Sequence, residues 1–167
     1  LKHRIPAQTI RHMGSLSQPT LTVRHYGAAP GGHVHDHFQV LWTLDGVLDL
    51  EVDGLGLALP AGQGLVLRPG ERHDFESRHG SRCLVLDTAE PGWLHRPVRT
   101  PHVQATHHLA HYLAAALAAQ LPVATELGAC LLAQTWGTRY PAQRPQREVN
   151  WAALTHWVTQ RLARPLT

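Results

Sequence analysis

Short apolar runs broken by Gly, Pro and Asp-Gly pairs fill the first hundred residues of the chain. Residues 20–26 and 33–44 are strand-like, with the alternation that indicates a half-buried strand clearest in the first. The Asp-Gly pair at residues 45–46 predicts a turn, and the pair at residues 53–54 is typical of a tight hairpin. Further short strands are predicted at residues 47–52, 55–59, 65–67, 73–76 and 83–86. Such spacing favours an antiparallel sandwich or small barrel over β-α-β units.

Near residue 100 the pattern changes, and Ala and Leu then recur at helical spacing. Residues 106–120, 123–138 and 148–163 each carry an apolar stripe with the period of an α-helix. We therefore predict an α+β protein that is mainly β, in which a barrel precedes C-terminal α-helices.

The composition excludes several other classes of protein. Hydrophobic residues make up 43% of the chain and charged residues 16%, which is a globular composition. Two distant cysteines without a CxxC pair cannot form a disulfide framework or a zinc finger. The net charge is +3 without a basic run, so this chain is not expected to contact DNA itself. Because no apolar run is long enough to span a bilayer and no signal peptide opens the chain, we expect a cytoplasmic protein with no membrane partner.

Histidine is the unusual component, with 14 residues. Three of them alternate along one predicted strand, so His33, His35 and His37 point to the same face as Gln39 and Leu41. The opposite face of this strand is also largely apolar, so the alternation does not tell which face is buried. Because neutral imidazole is a common ligand of Zn, Ni, Cu and Fe, this face is a candidate for binding a metal or another ligand.

This segment resembles the first motif of the cupin superfamily, which reads Gly, five residues, His-x-His, three or four residues, Glu, six residues, Gly. Here Gly27 precedes His33 and His35 at that spacing, and Gln39 and Gly46 follow with Gln in place of Glu. The second cupin motif, Gly, five residues, Pro-x-Gly, two residues, His, has a looser counterpart. It comprises Gly62, Pro69, Gly70 and His73. The resemblance implies a double-stranded β-helix, or jelly-roll, barrel.

The same resemblance implies a set of metal ligands, with His37 as a neighbour outside the set. These ligands would be His33, His35, Gln39 and His73. The change from Glu to Gln removes the negative charge that helps to hold Fe(II) or Mn(II), so the metal implied is Zn or Ni. Alternatively, the residues line a cavity that binds a small effector by hydrogen bonds without a metal. The effector-binding set is then His33, His35, His37, Gln39, Leu41 and His73.

The C-terminal segment resembles the region that leads into the DNA-binding domain of AraC/XylS-type regulators. In that family an amphipathic helix ends in Pro-Leu-Thr or Pro-Leu-Ser, and here residues 148–167 end in Pro165, Leu166 and Thr167. Pro165 ends one helix, and Thr167 is a suitable N-cap for a following helix. The resemblance implies four segments. They are an arm at 1–19, a cupin-like barrel at 20–100, a helical dimerisation segment at 101–140, and a linker helix at 141–167 leading to a helix-turn-helix domain beyond this chain.

By this resemblance the chain is the ligand-sensing and dimerisation domain of a transcriptional regulator. It would bind a small effector or a metal in the barrel, pair with a second copy, and act on DNA only through the further domain, without enzymatic activity. The apolar rows expected to pair two subunits are Leu109, Leu113, Leu117, Leu127 and Leu131. These rows could instead cover the barrel. The alternative function is a small metal-dependent cupin enzyme, either an oxygenase or an isomerase.

Overall fold

The computed structural model describes residues 10–12, 18–28, 31–100 and 104–137. Most of the predicted arm and the whole predicted linker helix lie outside these ranges. The described strands are β1 (Ile10–His12), β2 (Thr20–Tyr26), β3 (Gly31–His35), β4 (Phe38–Val52), β5 (Leu55–Pro60), β6 (Gly64–Leu67), β7 (His73–Glu76), β8 (Ser81–Thr88) and β9 (Arg99–Thr100). The described helices are a 3-10 helix (Pro91–His95), α1 (Gln104–Ala118), α2 (Pro122–Glu126) and α3 (Gly128–Thr135).

One long strand, β4, joins the two halves of a curled sheet. Its first half pairs antiparallel with β6 and β8, and its second half pairs antiparallel with β5 and β7. The outer neighbours extend both halves, with β2 on β8, β9 on β6, and β3 on β7, while β1 runs parallel to β3. The two halves curl around a common interior, so the predicted mainly β, cupin-like fold is confirmed.

Both faces of the first half of β4 are buried, which explains why the alternation in the sequence was uninformative. Leu41 joins the cluster of side chains inside the barrel, and Val40 and Trp42 join a second cluster beneath the helices. The interior cluster consists of Leu41, Leu48, Leu50, Leu59, Leu65, Leu67, Phe75, Cys83 and Val85. Gln39 shares the alternation of Leu41 and therefore faces the barrel interior.

The Asp-Gly pair at residues 45–46 is not a turn, contrary to our prediction. β4 continues through it, with a register shift against β8 between Thr43 and Asp45. Gly46 has a φ of +77°, and a Cβ there would lie 2.3 Å from the backbone oxygen of Gly80. A bulge with glycine in this conformation bends a strand, and here it directs β4 from one half of the sheet to the other. A real interruption falls earlier, at Asp36 and His37, where the predicted strand 33–44 divides into β3 and β4.

The helices pack on the outer face of the sheet. The predicted helix at 123–138 is two short helices that meet at Leu127, where φ is −115°. The next residue, Gly128, lies against Leu21, and a Cβ there would be 2.7 Å from the leucine side chain. Trp136 packs edge-on against Trp42 and donates a hydrogen bond to the carbonyl of Pro97. Among the described helices, none combines the length and the apolar character that crossing a membrane requires.

One of the leucines predicted for a subunit interface, Leu113, covers the barrel instead. Leu113 is fully buried in the cluster beneath the helices, so its assignment to a dimer surface was wrong. Leu109 and Leu117 are partly buried against the same cluster. Leu131 is half-buried, whereas 53% of Leu127 is exposed.

The bulge yields a prediction on stability. Gly46→Ala should lower the free energy of unfolding by about 3 kcal/mol or more, because it adds a backbone clash to the strain of a positive φ. Gly54→Ala is the matched control, since Gly54 also has a positive φ of +83° but would place its Cβ in open space. It should cost about 1 kcal/mol. Urea denaturation followed by tryptophan fluorescence measures both, and equal losses would contradict the proposed role of the bulge.

Candidate functional site

Four of the predicted site histidines meet at one end of the barrel. Neighbouring strands place His33 directly opposite His73, and the bend after β3 carries His37. The ring centroids of His33 and His73 are 6.2 Å apart, and those of His35 and His73 are 4.6 Å apart. His37 stacks on His35 at 4.6 Å. The structure thus brings together imidazoles that lie up to 40 positions apart in the sequence.

A tight turn before β7 holds His73 in place. The backbone amide of Gly70 donates to the carbonyl of His35 at 2.8 Å, which ties the turn to β3. The backbone amide of Arg68 donates to the carboxylate of Glu71 at 2.8 Å. His73 Nδ1 lies 3.0 Å from the carbonyl oxygen of Glu71. The turn of the second motif therefore fixes both the position and the ring orientation of His73.

The buried ring of His73 has a defined tautomer. Only 1% of the residue is exposed, and burial lowers the pKa of its imidazole, so the ring is neutral. Because a carbonyl oxygen only accepts hydrogen bonds, Nδ1 must donate to Glu71, and Nε2 carries a lone pair. Within the described residues, this Nε2 has no hydrogen-bond partner.

Gln39 supplies a second buried acceptor. Only 2% of the residue is exposed, and its amide nitrogen donates to the carboxylate of Asp87 at 2.8 Å. A carboxylate accepts but does not donate, so the amide cannot be turned around, and Oε1 must point away from Asp87. This oxygen, like Nε2 of His73, has no partner among the residues that the structure describes.

Asp87 and Arg24 belong to the site but were not predicted. Asp87 lies opposite Gln39 in the register of β4 and β8, forms an ion pair with Arg24 on β2, and lies 3.6 Å from Nε2 of His37. A signal was available, because Asp87 shares the alternation of Cys83 and Val85, which face the interior. We call the whole set the polar layer. It consists of Arg24, His33, His35, His37, Gln39, His73 and Asp87.

Apolar side chains border the polar layer on the inner side. The ring of Phe75 lies 4.9 Å from that of His73 and 5.0 Å from that of Tyr26. Leu41, predicted to contact the effector, is fully buried within the interior cluster, two residues beyond Gln39. The barrel thus has an apolar interior with a polar end, a common arrangement for binding small molecules.

The predicted metal ligands lie near one another without a coordination geometry. A tetrahedral zinc ion needs donor atoms at about 2.0–2.2 Å from the metal. Across the described residues, no group of three or more His, Cys, Asp or Glu side chains is arranged to hold a metal ion. The lone pairs on His73 and Gln39 are suitable metal donors in kind, and the ring centroids of His33, His35 and His73 lie 4.6 to 6.3 Å apart.

The fold and the polar layer define a class of protein, the barrel domains that bind small ligands. The sequence identifies the family within that class. The model of the AraC-like ligand binding domain matches residues 21–135, and the chain belongs to this family. The match covers most of the barrel and α1, α2 and α3.

Individual relatives match shorter parts of the chain. The HTH-type transcriptional regulator YobQ of Bacillus subtilis strain 168, itself uncharacterised, is 35% identical over 75 residues, which are 45% of this chain and 31% of that protein. The EutQ protein of Clostridium difficile is a similar solved structure, with a TM-score of 0.42, 13% identity, and coverage of 46% of this chain and 60% of that one. A cupin protein of Bacteroides fragilis has a TM-score of 0.41 and 19% identity over 46% of this chain and 70% of its own.

The histidines predict how stability depends on pH. Burial, and then the neighbouring His73 and His37, lower the pKa of His35 from 6.5 to about 4. Between these values the unfolded chain binds a proton that the folded chain does not, so the free energy of unfolding should fall as the pH decreases from 6.5 towards 4. The slope should be at most about 1.4 kcal/mol per pH unit for each such proton.

His35→Gln should make this slope shallower, because it removes one imidazole that takes up a proton when the chain unfolds. The measurement is urea denaturation between neutral pH and pH 4 in the presence of EDTA, which keeps metal ions off the histidines. His79→Gln changes an exposed ring in the turn before β8 and serves as the control. If both variants kept the original slope, the assignment to His35 would fail.

Proposed function

We propose that this chain senses a small organic effector at the polar layer and, as a homodimer, controls DNA binding by a helix-turn-helix domain elsewhere in the same protein. The observation that carries the proposal is the pair of buried acceptors on Gln39 and His73, which have no hydrogen-bond partner among the described residues and belong to a ligand-binding family.

The energetics of these acceptors support a binding role. Leaving a buried polar atom without a hydrogen bond costs about 1–3 kcal/mol. An apolar side chain at either position would avoid that cost, since Phe75 and Leu41 already supply an apolar interior nearby. A bound ligand that completes both hydrogen bonds would recover the loss.

The regulator YobQ supports the link to DNA. Its name describes a helix-turn-helix transcriptional regulator, and the match with this chain spans 31% of its length. The remaining length is ample for a DNA-binding domain. We propose the same division of labour for the protein that contains this chain, with ligand sensing in the barrel and DNA contact in another domain.

The chemistry of position 39 favours binding over catalysis. An amide at Gln39 cannot exchange a proton as the carboxylate of the cupin motif can. The carboxylate that is present, on Asp87, is held by Gln39 and Arg24 and borders His37. A carboxylate with its lone pairs engaged in this way is poorly suited to act as a general base.

The helical segment is the proposed dimer surface. Leu127, the most exposed of the predicted interface leucines, is joined by two further large apolar side chains on this segment, Tyr112 at 50% and Leu121 at 45% exposure. Large exposed apolar side chains are typical of the centres of interfaces.

Control of DNA binding can be tested on the full-length protein. Screening small molecules by thermal shift should identify an effector, which should change the affinity for operator DNA by roughly 5- to 150-fold. Gln39→Leu should abolish most of this response, because it keeps the volume and removes the acceptor. It also removes the hydrogen bond to Asp87, so circular dichroism first confirms that the variant is folded. Gln63→Leu is the matched control, at a half-buried position in the turn before β6.

Two results would contradict this proposal. If every effector that stabilises the protein left DNA binding unchanged, the barrel would not control the DNA-binding domain. If Zn²⁺ or Ni²⁺ alone changed DNA affinity, reversibly with EDTA, the effector would be a metal ion and not an organic molecule.

A charge in the helical segment tests the dimer. Leu127→Glu should weaken self-association at least about tenfold, since it places a charge where an apolar side chain is buried between subunits. Leu55→Glu is the control, because Leu55 is 71% exposed in the β4–β5 hairpin. Sedimentation equilibrium measures the dissociation constants, and unchanged association of Leu127→Glu would exclude the interface.

A further inference from the structure

We propose that the polar layer recognises its effector through hydrogen-bond donors on the ligand. The effector would be an uncharged or cationic molecule that presents N–H or O–H groups to His73 Nε2 and Gln39 Oε1, not a carboxylate or a phosphate. The inference rests on the proposed ligand-binding function and adds the chemical class of the ligand.

The first acceptor is fixed by the turn before β7. Nδ1 of His73 is 3.0 Å from the carbonyl oxygen of Glu71 and must carry the proton of the neutral ring. Nε2 therefore offers a lone pair, and a ligand that meets it must bring the hydrogen. The adjacent rings of His33 and His35 are half-buried, so this nitrogen lies beside the part of the polar layer that reaches the surface.

The second acceptor is fixed by Asp87. The carboxylate accepts from the Gln39 amide nitrogen at 2.8 Å, which turns Oε1 of Gln39 away from it. Asp87 is thus a positioning residue, because it determines whether Gln39 shows an oxygen or an amino group to the ligand. A glutamate at position 39, as in the cupin motif, would place two carboxylates against each other here.

The charges nearby disfavour an anionic ligand. The only guanidinium in the polar layer, that of Arg24, is paired with Asp87. A carboxylate or phosphate that enters the site would therefore meet the lone pairs of Gln39 and His73 beside a carboxylate, that of Asp87, which already holds the guanidinium of Arg24. The guanidinium of Arg24 could neutralise it only by leaving Asp87.

Three fragments of nearly equal shape test whether the site prefers ligands that donate hydrogen bonds. Acetamidinium presents only donors, acetamide presents a donor and an acceptor, and acetate presents only acceptors. Each is titrated at neutral pH into the metal-free chain, and ¹⁵N NMR follows His73 Nε2 and the Gln39 amide. Affinity should fall in the order acetamidinium, acetamide, acetate, with about fivefold or more between the first and the last, the ratio expected for one net hydrogen bond.

The positioning role of Asp87 has a matched control. Asp87→Asn lets the Gln39 amide turn around and also releases the guanidinium of Arg24, so the preference for acetamidinium over acetate should shrink severalfold. The double variant Arg24→Gln/Asp87→Asn has no released cation, and a preference that is still reduced in it is due to the Gln39 amide. Asp45→Asn breaks a carboxylate–arginine pair on the exposed surface, in which Asp45 of β4 lies 2.7 Å from Arg82 of β8. This variant should keep the preference of the original chain.

Several outcomes would overturn the inference. They are tighter binding of acetate, equal or absent binding of all three fragments, a protonated Nε2 on His73 at neutral pH, or an unchanged preference in Asp87→Asn. Zn²⁺ that shifts the His73 Nε2 resonance while acetamidinium does not would assign the two acceptors to a metal. These results would overturn the inference about the ligand without removing the chain from its ligand-binding family. Conversely, if an effector did not control DNA binding, the proposed function would fail while the fragment preference could still hold.

Discussion

The bend of β4 is the constraint on which the rest of the structure depends. This strand pairs with four others, two in each half of the sheet, and the bulge at Gly46 lets it pass from one half to the other. The first half of β4 must therefore be apolar on both faces, because one face lines the barrel and the other supports the helices. Gln39 and Thr43 are the buried polar exceptions to this apolar pattern, and Gln39 lies where the polar layer begins.

The polar layer combines residues that the fold holds firmly with atoms that it leaves unsatisfied. The carboxylate of Asp87 accepts a hydrogen bond from the Gln39 amide and forms an ion pair with the Arg24 guanidinium, and Nδ1 of His73 donates to the carbonyl of Glu71 in its own turn. The same bonds that fix these side chains direct Oε1 and Nε2 to positions without a partner in the described structure. Preorganised acceptors of this kind reduce the entropic cost of binding, since the protein side chains are already ordered before the ligand arrives.

Much of the fold could be predicted from local signals, and the failures have physical reasons. The hairpin at residues 53–54 forms as expected because its Asp and Gly adopt positive φ values of 48° and 83°. The same dipeptide at residues 45–46 did not form a turn, because pairing with β8 keeps the strand extended across the bulge. Leu113 could not be assigned to the core or to a subunit interface from periodicity, since both faces of a covering helix can be apolar.

Only the residues of the candidate site that belong to the two motifs could be predicted from the sequence. His33, His35 and His73 have the spacing of known motifs, and the strand register then places them side by side. Asp87 and Arg24 follow no motif. The register of β4 and β8 places Asp87 opposite Gln39, and Arg24, which lies opposite Cys83, reaches Asp87 with its long side chain. The Glu-to-Gln change illustrates the difference. In the sequence, Gln39 is a position that has lost a carboxylate. In the structure, its amide is the hydrogen-bond donor to the carboxylate of Asp87. The electrostatic character of such a site therefore depends on residues that only tertiary pairing brings together.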